Sequence, residues 1–334
     1  MASTSHSTQH TAGRLLALAG TGLIRVQDAL EAGITRGELR AAIAAGYVVR
    51  VAHGVIAVPG PDDAPRTLLQ RCQAHASRRP SLVFCLHTAN ELLGQPLLRA
   101  KDTLLHAYDK HSARTGDLLI HAGGIPDDHV IEIHGLKVTS PLRTALDLAR
   151  GLPLAEGLIP LDAALRGAIV AAVAHLGLPS DVAVESASQQ IHAREQAEHV
   201  LGPMRHLHGA RNARRALSLA SPLAESPAES ASRGHLLLAG IAPLGLQVRV
   251  LDGDGVERRL DFLLAEGLAG EVDGFIKYQG EDGPQAMRKE KRRDLALQRG
   301  GIFAVRWSAE ESFWRPQRLI RVVRHALISH RSTA

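Results

Sequence analysis

The stretch that most limits the folds open to this chain lies near its end, from Arg258 to Tyr278, where carboxylates interrupt two runs of strand-forming residues. Leu260-Asp261-Phe262-Leu263-Leu264 is apolar apart from one acid. After a Glu266-Gly267 turn, Leu268 to Phe275 is a second run, carrying Glu271 and Asp273. Side chains alternate along a strand, so Glu271 and Asp273 share a face about 7 Å apart. If the two runs pair as a hairpin, Asp261 joins them and three acids meet. Like charges at that range are costly in a partly buried site unless a cation neutralises them. Oxygen-only ligands suit Mg²⁺ or Mn²⁺, which recruit phosphate oxygens. The spacing is that of a metal-dependent phosphodiesterase site. The plainer alternative is a pair of amphipathic edge strands with solvated acids.

With 334 residues the chain has room for two or three domains. Only 3% of residues are aromatic, so the cores must be built from Ala, Leu, Val and Ile, and a base-stacking platform for single strands is excluded. The formal charge of +5 fits a nucleic-acid partner. Of the 39 basic residues six are Lys; Arg suits bidentate phosphate contacts, though a GC-rich coding bias gives the same skew. Two cysteines, Cys72 and Cys85, point to a reducing compartment. The polar N-terminus carries no secretory signal pattern, and His175 interrupts the best apolar run, Ala168 to Leu178. A cytoplasmic protein with no membrane partner is expected.

Residues 1–11 are Ser/Thr/His-rich and predict a disordered tail. From Ala12 the apolar spacing turns helical, and Val26, Ala29 and Leu30 mark a second helix. Thr35 with Glu38 forms a capping box that opens a third helix, with Leu39 and Ile43 on one side and Arg36 and Arg40 on the other. Tyr47 to Ala52, a His53-Gly54 turn and Val55 to Val58 read as a hairpin. Residues 12–60 thus predict a winged helix-turn-helix whose third helix enters the major groove with Arg36 and Arg40 while the wing brings Arg50 and His53 to the backbone. Helix–helix–hairpin units also serve as protein-interaction modules. The segments Gly22 to Thr35, Tyr47 to Val51 and Gly54 to Pro59 resemble the N-terminal domain of AbiEi-family antitoxins of type IV toxin–antitoxin systems. That resemblance implies operator binding and a cognate toxin. Ile56 departs from the Tyr usual in that family.

After a Pro/Gly/Asp linker, residues 66–150 read as an α+β middle domain, ending in an amphipathic helix opened by Ser140-Pro141. Its Thr139-Ser-Pro-Leu-Arg-Thr run is again similar to AbiEi-like proteins. Cys72, His75, Cys85 and His87 are four potential zinc ligands, but Cys85 lies among Val83, Phe84 and Leu86, where a core cysteine is the default. Residues 151–220 predict a helical connector, basic from Arg205 to Arg215; a solvated helix face accounts for that stretch more simply than phosphate contact.

From residue 221 to 330 the order is helix, three strands, helix, strand, helix. That order, with Glu229, Gln247, Leu260-Asp261-Phe262, Glu271-Val-Asp273-Gly, Lys277-Tyr278 and Glu290-Lys-Arg-Arg, resembles PD-(D/E)XK proteins similar to very-short-patch-repair endonucleases. The resemblance implies an α/β restriction-endonuclease-like domain with Asp261 and Glu271 holding Mg²⁺ (or Mn²⁺), Glu229 reaching the same site, and Asp273 and Lys277 completing the catalytic set. The family's Lys, two residues past the second acid, is here Asp273. Lys277 lies roughly 20 Å from Glu271 along an extended strand, leaving Lys289 or Lys291 as alternative cations. The whole reads as an α+β multidomain chain that binds double-stranded DNA. Two functions are open: an AbiEi-type antitoxin or transcriptional regulator with an endonuclease-like tail, and an active Mg²⁺-dependent DNA endonuclease targeted by its winged helix.

Overall fold

A computed structural model describes residues 2–19, 22–52, 54–59, 67–98, 103–273 and 283–333. They form two compact units, one running to Leu93 and resuming through Ser140, the other taking in residues from Gly94 and everything from Pro141 onward.

The first unit opens with α1 (Ala2–Leu18), β1 (Leu23–Arg25), α2 (Val26–Glu31), α3 (Arg36–Ala44), β2 (Val49–Ala52) and β3 (Val55–Ala57). The strands form an antiparallel sheet in the order β1-β3-β2. Leu15, Ile24, Ala29, Ile34, Leu39, Val48 and Ile56 are its core. The helix begins at Ala2, not after a disordered tail. Burial of Thr11, Ala12 and Leu15 fixes its C-terminal half, and an existing helix extends one residue at a time far more easily than a new one nucleates.

The same unit continues with α4 (Leu68–Ala76), β4 (Val83–Phe84), α5 (Leu86–Leu92), β5 (Leu105–Asp109), β6 (Ala113–Thr115), β7 (Leu118–Ala122), β8 (Val130–Ile133) and β9 (Leu136–Thr139). These strands form a mixed six-stranded sheet, β6-β7-β5-β4-β9-β8. Cys72, Phe84, Ala107, Ile120 and Val138 pack at its centre. Burial pushes the Cys72 thiol up to about 12, and His75 hydrogen-bonds Asp117. Among the described residues no group of His, Cys, Asp and Glu is disposed to hold a metal, so the zinc alternative finds no support and the core-cysteine reading accounts for both thiols.

The second unit begins with α6 (Pro141–Ala149), the helix expected to close the middle domain. Its Ala145, Leu146 and Ala149 instead join the core of a helical bundle with α7 (Leu154–Val173), α8 (Ser180–Glu185), α9 (Ala187–Leu201) and α10 (Ala210–Leu219). The expected connector is therefore a folded layer with its own core. Residues Leu154–Leu176, α7 with the short turn after it, are long and apolar enough to cross a membrane by length and composition alone. In sequence Glu156, Asp162 and Arg166 break the run. In the fold Leu158, Leu161, Leu165 and Ile169 are buried by the bundle.

The unit ends with α11 (Pro227–Leu238), β10 (Gly245–Leu251), β11 (Glu257–Ala265), β12 (Leu268–Asp273), α12 (Gly283–Arg299), β13 (Phe303–Ser308), α13 (Ala309–Trp314) and α14 (Pro316–Thr333). The sheet order is β10-β11-β12-β13, antiparallel except for the last pair. Leu236, Phe262, Trp307, Leu319 and Val323 form one core, and Leu260, Ala269 and Leu297 another. Asp252 makes the β10–β11 turn, its carboxylate accepting from the Asp254 and Val256 amides.

Candidate nucleic-acid interface and acidic site

The N-terminal site rests on α3. Its capping box is formed: the Thr35 hydroxyl accepts from the Glu38 amide at 3.2 Å, and the Glu38 carboxylate accepts from the Thr35 amide at 2.7 Å. That backbone N–H, with the Thr35 hydroxyl, holds the Glu38 carboxyl below its usual range. Leu39 and Ala42 face the core, which leaves Arg36 and Arg40, one turn apart, on the exposed side. Arg50 is exposed on β2. His53 lies outside the described residues.

The C-terminal site gathers carboxylates from a helix and two strands. Glu229, on the first turn of α11, is buried; its oxygens accept from the Glu225 amide at 2.9 Å, the Ser226 hydroxyl at 2.8 Å and the Gln247 amide group at 2.9 Å. Burial, followed by the negative charge of Asp261, raises its pKa despite these donors. The β11–β12 ladder runs from Ala265↔Leu268 to Phe262↔Gly270. Beyond it the Asp261 carboxylate itself accepts the Val272 amide at 2.9 Å. Glu271 is also buried and its pKa also raised, first by burial and further by Asp261. Asp261 is thus the charge felt by both of the other acids.

The sequence reading missed what neutralises them. Arg293 of α12 lies 2.7 Å from Glu271 Oε1 and donates to Oε2 at 3.0 Å; Arg306 of β13 lies 2.8 Å from Oε2. Arg306 also reaches Asp273 at 3.3 Å and Asp294 at 2.7 Å, and pairs with Glu290. Asp273 shares the face of Glu271, as strand alternation predicts. Lys277 lies outside the described residues, as does the Lys289 side chain; Lys291 is exposed. Among the described residues the cations facing the acids are arginines. The signal for one of them was an Arg in an otherwise apolar strand, Ile302-Phe-Ala-Val-Arg306-Trp.

This donor set does not fit the implied Mg²⁺ or Mn²⁺. Both Glu271 oxygens face guanidinium groups and both Glu229 oxygens accept protein hydrogen bonds, so among the described residues no three carboxylates are left to share an ion. In keeping with that, no metal-holding group of three occurs among the described residues.

Residues 14–59 match a family model, that of the transcriptional regulator AbiEi antitoxin. The match covers α3 and the strands around it, and it is compatible with a winged helix. Two curated relatives, the uncharacterized proteins MT2308 of Mycobacterium tuberculosis strain CDC 1551 and Rv2248 of strain H37Rv, are each 28% identical over 298 residues. The alignment spans 87% of this chain and 97% of the relative. The similarity therefore runs through both units, well past the regulator-like segment.

Proposed function

We propose that the chain is a DNA-binding transcriptional regulator of the AbiEi antitoxin type, working with a cognate toxin. The observation that carries this is the exposed Arg36–Arg40 pair on a helix whose opposite face is locked into the core of the family-matched segment. In this reading α3 lies in the major groove of double-stranded DNA, the two arginines address base edges and phosphates, and Arg50 on the hairpin contacts the backbone. A gel shift on the DNA upstream of the gene tests it. Arg36→Ala/Arg40→Ala should lose the shifted complex without a change in melting temperature; retention of full affinity would remove α3 from recognition.

A second reading, a metal-dependent DNA endonuclease, draws on the convergence of Glu229, Asp261 and Glu271. It is the weaker one, because Arg293 and Arg306 already pair with Glu271. Plasmid incubated with the protein and Mg²⁺ or Mn²⁺, beside Asp261→Ala, decides. Nicking lost in the variant would favour the enzyme, and no nicking by either would leave the regulator alone.

A further inference from the structure

Arginine fills three of the five exposed positions of helix α10, Asn212 and Ser218 being the other two. Arg211, Arg214 and Arg215 project from one side within about a quarter-turn of each other, and Arg205 is exposed just ahead of the helix. The buried side is Ala210, Ala213, Ala216 and Leu217. Among the described residues none of these four guanidinium groups has an ion pair or a hydrogen bond.

Elsewhere in the same unit arginines are matched: Arg143 and Arg150 to Asp147, Arg166 to Glu225, Arg233 to Asp162. No Asp or Glu occurs between Glu198 and Glu225, so neither α10 itself nor the chain on either side of it offers a local partner. Like charges one turn apart destabilise a helix, and cations in its first turn oppose the helix dipole. A surface that bears this cost without internal compensation is suited to an external polyanion.

We infer that the α10 arginine face is a second DNA contact, binding the phosphate backbone of duplex DNA independently of sequence. This rests on the regulator reading above. Arginine's planar fork suits phosphate oxygens bidentately. No Phe, Trp or Tyr occurs between Tyr108 and Phe262, so α10 and its flanks supply no platform of their own for unpaired bases. The face also lacks the apolar residues that anchor a basic helix in a lipid surface.

The test is fluorescence anisotropy of the full-length protein on a labelled mixed-sequence duplex across a NaCl series, so no operator need be known. Each lost phosphate contact should make the slope of log affinity against log salt shallower by about 0.9. Arg211→Gln/Arg214→Gln/Arg215→Gln is expected to reduce the slope by about 2–3, with a melting temperature equal to or above wild type. A slope unchanged in this variant but reduced in Arg36→Gln/Arg40→Gln overturns the inference and keeps the regulator reading. Absence of duplex binding by the wild type at low salt overturns both. Displacement of the duplex by polyglutamate at equal charge concentration would assign the face to an acidic protein and likewise overturn the inference.

Discussion

Glu271 and Arg306 are register partners across the parallel β12–β13 ladder, and their side chains meet at 2.8 Å. Glu271 is almost fully enclosed, so its charge depends on this guanidinium and on Arg293. Arg306 in turn is the shared counter-ion of Glu271, Asp273, Glu290 and Asp294. Removing one partner of a buried pair leaves an uncompensated charge, whereas replacing both by apolar groups is often neutral. Arg293 still faces Glu271 when Arg306 is removed, so Arg306→Gln should cost less than full loss of a buried pair, about 1–3 kcal/mol in urea titrations. Arg306→Met/Glu271→Met should recover a good part of that loss.

The cap at the start of α3 can be removed without touching the core. Thr35→Ala deletes the acceptor for the Glu38 amide, and N-cap losses of this kind cost about 1 kcal/mol. Thermal melting should register that cost. Thr35→Ser, which keeps the oxygen, should restore wild-type behaviour.

Asp117 supplies a pH-dependent contribution in the first unit. Partial burial pushes its carboxyl up, but hydrogen bonds from His75 and Arg71, both at 2.8 Å, more than reverse this and leave it below the usual carboxylate range. A depressed folded-state pKa gives stability that is present above the unfolded-state value and lost as pH falls through the folded one. Asp117→Asn should therefore unfold at lower urea than wild type at neutral pH. The gap should close below about pH 4.

Gly234 sits where α11 crosses α7. A Cβ built there would lie 2.5 Å from Ala155 Cα and 2.8 Å from Ala155 Cβ. The helices would have to separate, and overpacking of this kind costs about 1–3 kcal/mol. Gly234→Ala should lower the melting temperature; Gly167→Ala on α7, where nothing lies within 4 Å, should not.

What could be read without coordinates was local. Thr35 and Glu38 are three residues apart, and a capping box is complete in that interval. Glu271 and Asp273 share a face because strand alternation dictates it. What escaped the reading depends on distant parts of the chain. Arg293 and Arg306 reach Glu271 from 22 and 35 positions away in sequence, so no spacing rule links them. Pro141 to Ala149 reads as amphipathic from its pattern, but the pattern does not say which of two cores receives the apolar side. The tail residues look disordered by composition, and only the burial of Leu15 further along commits that segment to a helix.

Arg233, on α11, is held by Asp162 of α7 at 2.6 Å, both enclosed, with the Ser221 amide donating to the same carboxylate. Burial raises the Asp162 pKa, so that acid depends on its partner as well. A gene fusion that spliced in the terminal sheet from Ser221 onward would carry a stranded cation in its interior and leave a stranded acid behind. The smallest piece of this protein that inheritance can shuffle intact therefore begins near Pro141, helices and sheet together.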